Sequence, residues 1–503
     1  KKMGIKIILL IIFFAVMAAV GIYSRRHVTS VDGFVLGGRS VGPWLTAFAY
    51  GTSYFSAVVF VGYAGQFGWK YGIASTWIGI GNALIGSLLA WVVLGRRTKV
   101  MTQHLGSRTM PDFFGERYKS KSLKITASVI VFVFLIPYTA SVYNGLSRLF
   151  AMAFNIPYTW CVVTMAAFTA LYVILGGYMA TAINDFIQGI IMLIGIVAVI
   201  AAVLNGQGGF MNAIAEMAKI PSDVPLTQGQ PGAFTSFFGP DPVNLLGVVL
   251  LTSLGTWGLP QMVTKYYAVK EGKAIKQATI VSTLFCFVIG AGAYTAGSCS
   301  RLILGNTLPE AGYDGVIPQM LIKALGGGTF TIIILAVIII LLFSASMSTL
   351  SGIVLSSSSA ISVDLAPQIK KGFGGKPQML MTRILCLVFI ACSFIFATLN
   401  ISIIVNIMSF SWGVVAGCFI GPYVWGIFSR GTTKAGAFAG MIGGFLTVAI
   451  PTVVITCSSG FSAAVGNAAG LGVLAMAVSF VIVPIVSSFT KKFDSEFIDT
   501  VFK

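Results

Sequence analysis

Apolar residues in this chain are gathered into long runs separated by short polar connections, with little of the close alternation that marks a half-buried strand. Thirteen such runs can be traced, at about 5–23, 43–64, 74–94, 125–151, 158–175, 185–204, 242–264, 278–303, 330–355, 380–398, 402–427, 436–456 and 471–489. Runs of about 20 apolar residues have the helical length that crosses a hydrocarbon core of about 30 Å. A backbone immersed in lipid must bond within its own segment, so the runs predict helices. The expected fold is an all-α membrane protein of about 13 transmembrane helices, one membrane domain over 1–503.

Composition agrees, with 56% hydrophobic and 9% charged residues, against about 25% charged in a soluble domain. The net charge of +18 would suit nucleic acid if it lay along one face, but Lys and Arg cluster between apolar runs instead. No nucleic-acid partner is expected; the partner is the lipid bilayer. Alternate connections are basic: Arg25/Arg26, Arg96/Arg97/Lys99 through Lys124, Lys265 to Lys276, Lys370/Lys371/Lys376, Arg430/Lys434 and Lys491/Lys492. Cationic loops stay in the cytoplasm, which places the N-terminus outside and the C-terminus inside. Lys1, Lys2 and Lys6 argue mildly the other way. The first run is too long for a signal-peptide core and reads as a retained span. Residues 205–241, rich in Pro, Gly and Gln, form an external loop, and 108–124, with Pro111, Phe113, Phe114 and several cations, has the make-up of an interfacial helix.

Two runs contain breaks. The second is interrupted at Gly51-Thr52-Ser53 and the seventh at Gly255-Thr256-Trp257-Gly258-Leu259-Pro260. Five spans separate them, so the blocks they open cross the membrane in opposite senses, and paired breaks of this kind point to a midplane site. The plain alternative is that glycine is common in membrane helices. Intramembrane acids cost about 2.5–3.5 kcal/mol, so each needs a reason. Asp185, placed at the start of the sixth run, either caps that helix or serves a cation. In the ninth run Ala345, Ser348, Thr349 and Gly352 share one helical face. Ser348 and Thr349 could meet one ion with the carbonyl of Ala345 and the carbonyls of Thr52 and Phe55, or could serve close helix packing. Catalytic and ATP-driven readings lack their residues. His27 and His104 both lie by basic loops, no GxxxxGK[ST] occurs, and the seven cysteines form no CxxC. Gly326-Gly327-Gly328 reads as a turn.

Several motifs in register then resemble a family: Phe34-Val35-Leu36-Gly37-Gly38-Arg39-Ser40, Thr109-Met110-Pro111-Asp112-Phe113-Phe114, Gly176-Gly177-Tyr178 through Asp185 and Gln188, Met347-Ser348-Thr349-Leu350-Ser351, and Lys434-Ala435-Gly436-Ala437-Phe438-Ala439-Gly440-Met441. Together, from about 30 to 445, they resemble the sodium/solute symporters, which include bacterial sodium/proline and sodium/pantothenate carriers. The resemblance implies a LeuT-type core of two five-helix inverted repeats, 43–204 and 242–427, preceded by an extra N-terminal helix (1–30) and followed by two C-terminal helices (436–489). It implies a sodium ion held by Thr52, Phe55, Ala345, Ser348 and Thr349. Some members have a second cation site, here Asp185, Ser348 and Ser351, although Gly352 stands where another hydroxyl would help. The solute pocket is expected among Ser53, Ser56, Tyr138, Thr256, Trp257 and Gln261, with helix packing as the alternative for each.

The proline carriers have an Asp where this chain has Tyr54, and aromatics where it has Thr252 and Thr256, which disfavours proline. The sialic acid branch has an Arg near Tyr138 that is missing here, and the stretch from Leu171 to Gly189 looks most like the pantothenate and carboxylate branch. The expectation is a non-enzymatic, sodium-coupled symporter of a small organic solute (carboxylate, vitamin or amino acid), monomeric, in a bacterial plasma membrane. Its rivals are a proton-coupled carrier using Asp185 and a sensor or channel on the same scaffold.

Overall fold

The apolar runs fold as expected for chains that must satisfy their own backbone in lipid. The computed structural model describes residues 2–25, 30–154, 157–325, 329–369, 372–399 and 401–502. Lys1, Arg26, Gly326-Gly327-Gly328 and Lys370/Lys371, used above as charge or turn signals, lie outside them. Among the described residues each apolar run is helical, and the only strand-like feature is an isolated bridge between Val41 and Val269. Among the described residues nine helices are long and apolar enough to cross a membrane, or ten if one bent pair is a single span; Ile11–Ser24 and Tyr158–Leu171 are shorter apolar helices.

The helices that build the centre are α1 (Lys2–Arg25), α2 (Pro43–Tyr54), α3 (Ala64–Tyr71), α4 (Lys121–Phe154), α5 (Tyr158–Asn205), α6 (Pro242–Leu254), α7 (Pro260–Ala268), α8 (Lys273–Ser298) and α9 (Thr329–Ser359). Helix α9 packs along α5, α4 and α2, while α2 also lies against α8 and α5. Helix α1 is laid on α5, burying Phe13 and Met17 and leaving Ile8, Ile11 and Ile12 outside. Then come α10 (Gly375–Thr398), α11 (Ile404–Phe428), α12 (Lys434–Ser459) and α13 (Ala468–Phe489). The last two pack on each other and on α11, with Ile450, Val453, Val481 and Ile485 exposed as a lipid-facing surface needs.

Three interruptions shape the centre, and two differ from the sequence reading. The first was placed at Gly51-Thr52-Ser53, yet α2 runs through those residues and stops at Phe55, whose φ/ψ of −108/107 is extended. A Cβ on Gly51 would lie 2.3 Å from the Phe285 ring, so this glycine marks a close helix crossing and not a break. The chain restarts when the Ser56 carbonyl accepts from the amides of Val59 (3.0 Å) and Phe60 (3.2 Å). The second break is where it was expected. A tight turn at Gly255–Gly258 and an extended Leu259 lead into Pro260, which opens α7, and the two halves meet at 48°. Proline suits this position because its missing N–H has no partner there anyway.

The third interruption is Gly177 inside α5, at φ 58, ψ −157, a region that glycine alone enters readily. Helix resumes beyond Gly177, so Asp185 lies eight residues past the break, about two turns in. Asp185 therefore caps nothing, and the capping alternative falls. The interfacial-helix reading of 108–124 is also corrected. Met110–Arg117 forms a short helix there, ahead of α4 at Lys121, and it is tucked under the bundle with Phe113 and Phe114 fully buried against Tyr423 and Phe419. Its Arg117 donates to the carbonyls of Gly426 (2.8 Å) and Ser429 (2.9 Å), at the end of α11.

A side chain at Gly177 would put its Cβ 2.7 Å from the Phe34 ring and 2.9 Å from the Phe34 carbonyl oxygen, besides the backbone strain. Gly177→Ala should cost at least about 1–3 kcal/mol and lower the melting temperature of the purified protein by several degrees; an unshifted melt would contradict this backbone conformation.

Candidate functional site

Helix α2 ends at Phe55 among buried residues, so its last carbonyls lose their intrahelical donors. The Val59 amide, which would complete a turn onto Phe55, bonds Ser56 instead. Across from this end lies the hydroxyl face of α9. The Ser348 hydroxyl donates to Thr52 Oγ1 at 2.7 Å, and Thr349 Oγ1 lies 3.3 Å from the Thr52 carbonyl, 3.4 Å from that of Ser53 and 3.1 Å from that of Ala345. Thr52, Ser348 and Thr349 are all fully buried. The structure thus brings Thr52 of α2 against Ala345, Ser348 and Thr349, which lie on the α9 face derived from helical spacing, with Phe55 at the open end of α2. All the donor atoms are neutral oxygens of hydroxyls and carbonyls, a set suited to a hard cation of low charge.

Asp185 approaches the same region from α5. Its carboxylate lies 3.7 Å from the Lys265 ammonium on α7, with the two side chains 1% and 2% exposed. Ser348 adjoins this carboxylate, but neither oxygen receives a hydrogen bond in the structure. Lys265 Nζ also stands 5.2 Å from the centre of the Tyr178 ring, just past the Gly177 break. Ser351, on the same helix as Ser348, donates its hydroxyl to the Ser348 carbonyl at 2.8 Å.

Lys265 was counted as the first cation of a cytoplasmic cluster, and that assignment is wrong. A usable signal existed: Met262, Val263, Tyr266 and Tyr267 flank it and are all buried, whereas the exposed cations begin at Lys270. Lys99, grouped with the loop cations too, is likewise buried and donates to the carbonyls of Arg39 and Tyr267, each at 3.1 Å.

The expected solute residues separate into two groups. Ser53 Oγ, Tyr138 Oη and Gln261 Oε1 are buried and have no hydrogen-bond partner in the structure. Ser56 accepts from the Val58 amide at 3.2 Å. Thr256 and Trp257 are engaged elsewhere. Thr256 Oγ1 donates to the carbonyls of Ser253 (2.9 Å) and Gly86 (3.2 Å), and the Trp257 indole to that of Ile85 (3.1 Å). Ile85 and Gly86 sit in a π-helical stretch, Leu84–Leu89, whose wide turn offers carbonyls to neighbours. Thr256 and Trp257 therefore tie the second break to the adjoining helix.

A narrow cavity of about 20 Å³ reaches Gln261, Lys265 and Gly352 from the side of Arg108 and Thr109, the face bearing the basic connections. On the opposite face a vestibule of about 490 Å³, lined by Gln66, Lys70, Asp223, Asp241 and Arg301 among others, extends to Ser409. Aromatic side chains pack on one another at the end of α2. Trp412 contacts Tyr54 (6.3 Å between ring centres) and meets Tyr138 edge-on (5.7 Å), Tyr54 donates to the Thr252 carbonyl at 2.6 Å, and Tyr63 bonds Ser409 at 2.8 Å. Trp412 was not singled out from sequence, where nothing separates it from other membrane tryptophans.

The profile described as the sodium:solute symporter family matches residues 34–444. Sodium/proline symporter 2 of Staphylococcus saprophyticus is 30% identical over 461 residues, covering 88% of this chain and 85% of that protein. The sodium/proline symporter of Staphylococcus aureus is 28% identical over 455 residues with the same coverage. Among solved structures, a sodium-coupled sialic acid symporter in a substrate-bound outward-open state superposes with a TM-score of 0.77 at 16% identity, over 97% of this chain and 98% of the other. At that identity it supports the fold alone.

The buried pair makes a prediction of its own. Asp185→Asn or Lys265→Met alone leaves one charge unpaired in a dry site and should cost about 3–5 kcal/mol. The double variant should recover much of that loss in thermal denaturation, whereas additive losses would show that the two groups do not interact.

Proposed function

The chain belongs to the sodium:solute symporter family and is a non-enzymatic, integral membrane carrier that couples a small organic solute to sodium, and we propose that the ion is held where α2 ends against α9. Thr52 and Phe55 supply carbonyls, Ala345 a third, and Ser348 and Thr349 their hydroxyls. The observation that carries this reading is the set of contacts of Ser348 and Thr349 with Thr52, Ser53 and Ala345 at 2.7–3.4 Å. A monovalent cation descending a membrane potential releases about 2.3 kcal/mol per 100 mV, equal to a solute gradient of roughly fifty-fold.

The solute is proposed to lie beside this ion, against Ser53, Tyr138 and Gln261, whose buried polar atoms offer bonds that the protein itself leaves unused. The vestibule and the narrow cavity are the two approaches to it, as alternating access about a midplane site requires. Both cited relatives are named for proline. Here, however, the position that the proline carriers give to an Asp holds Tyr54, fully buried and bonded to Thr252. Nothing at that point can meet a secondary ammonium with a charge, and we propose a small carboxylate, vitamin or other amino acid instead. The repeats are proposed at 43–204 and 242–427, in a monomer of the plasma membrane with the basic connections and the C-terminus in the cytoplasm. A proton-coupled carrier using Asp185 is disfavoured because that carboxylate already faces an ammonium.

A thermal-shift screen of purified protein against carboxylates, vitamins and amino acids, with sodium or choline as the cation, should find a stabilising solute whose effect needs sodium. Ser348→Ala/Thr349→Ala should remove the sodium dependence of that shift while the protein still melts cooperatively. Sodium affinity unchanged in the double variant would move the ion elsewhere.

A further inference from the structure

We propose that Lys265 is a built-in cation: its ammonium fills the second positive-charge position beside Asp185, so the carrier moves a single sodium ion per cycle. The inference rests on the sodium site proposed at Thr52, Ser348 and Thr349, and adds to it what occupies the space next door.

Three features support it. The first is charge. Asp185 carries one negative charge, and Lys265 Nζ stands 3.7 Å from it, both side chains being almost wholly buried. A sodium ion added there would bring a second positive charge against one carboxylate in a medium of low dielectric, where like charges repel strongly. The second is the supply of oxygens. A hard cation needs several, but Ser348 already faces Thr52 in the first site, which leaves Ser351 as the neighbouring hydroxyl of α9, and the following residue is Gly352. That glycine faces Ser53 and Gln261, with Cβ distances of 3.5 and 3.9 Å, and a hydroxyl there is lacking.

The third feature is how Lys265 is held. It rises from α7, which begins directly after the second break, and its ammonium is bounded by Asp185 on α5 and by the Tyr178 ring at 5.2 Å. A mobile sodium ion in this place would enter and leave with each cycle, whereas the ammonium is covalently tethered and stays.

Coupling stoichiometry tests this directly. In proteoliposomes, with a solute found by the thermal screen, the sodium gradient that nulls net solute flux should give one sodium per solute for the wild type. The apparent solute affinity should rise with sodium at a slope of about one. Lys265→Met frees the carboxylate and should raise the slope toward two. Its melting temperature should also climb more steeply with sodium chloride than the wild type's, with choline chloride as the ionic-strength control. Asp185→Asn/Lys265→Met removes both charges and should return both readouts to the single-ion pattern. Two sodium ions per solute in the wild type overturn the proposal, and so does a folded Lys265→Met protein whose slope and salt response match the wild type. If Lys265→Met cannot be purified, the wild-type stoichiometry decides alone. A wild type with no sodium response at all overturns the Thr52, Ser348 and Thr349 site and this inference with it.

Discussion

A helix that stops halfway through a membrane leaves carbonyl oxygens which lipid cannot satisfy, and the centre of this protein is organised around that constraint. Helix α2 ends at Phe55, and the hydroxyls of α9 are set against its last turn. In water the loose end would be solvated at little cost. In hydrocarbon each unsatisfied group costs several kcal/mol, so the break persists only because another helix supplies partners. Those same partners make up the sodium site proposed here, which would match the coupling ion to a defect that the fold has to cover.

The other interruptions serve the same centre. Gly177 turns α5 so that Tyr178 and, two turns later, Asp185 face the space between α7 and α9. The break before Pro260 sends α7 off at 48° and carries Lys265 into contact with that carboxylate. Charge neutrality inside the bundle is therefore made by two helices that emerge from two separate breaks. Tyr54, which follows Ser53 at the end of α2, packs with Tyr138 through Trp412 of α11 beside this centre.

Glycine plays opposite parts at two of these places, and spacing in the sequence does not distinguish them. Gly177 adopts a backbone conformation closed to other residues. Gly51 is helical and small because the Phe285 ring lies where its Cβ would be. The first break consequently falls three to four residues beyond the point its glycine suggested.

Much was legible from residue order alone, for definite reasons. Apolar runs of membrane-spanning length dictate helices, because lipid offers the backbone no other partner. Helical periodicity puts Ala345, Ser348, Thr349 and Gly352 on one face whatever the neighbours are, and the turn at Gly255–Gly258 before Pro260 follows from local backbone chemistry. What required the tertiary structure was anything set by a partner distant in sequence. Lys265 resembles a loop cation until α5 brings Asp185 to it. Asp185 resembles a cap until the helix is seen to restart at Gly177. Thr256 and Trp257 resemble pocket residues until the carbonyls of Ile85 and Gly86 claim their donors. Local pattern records what a residue can bond, and only packing between helices decides which partner it receives.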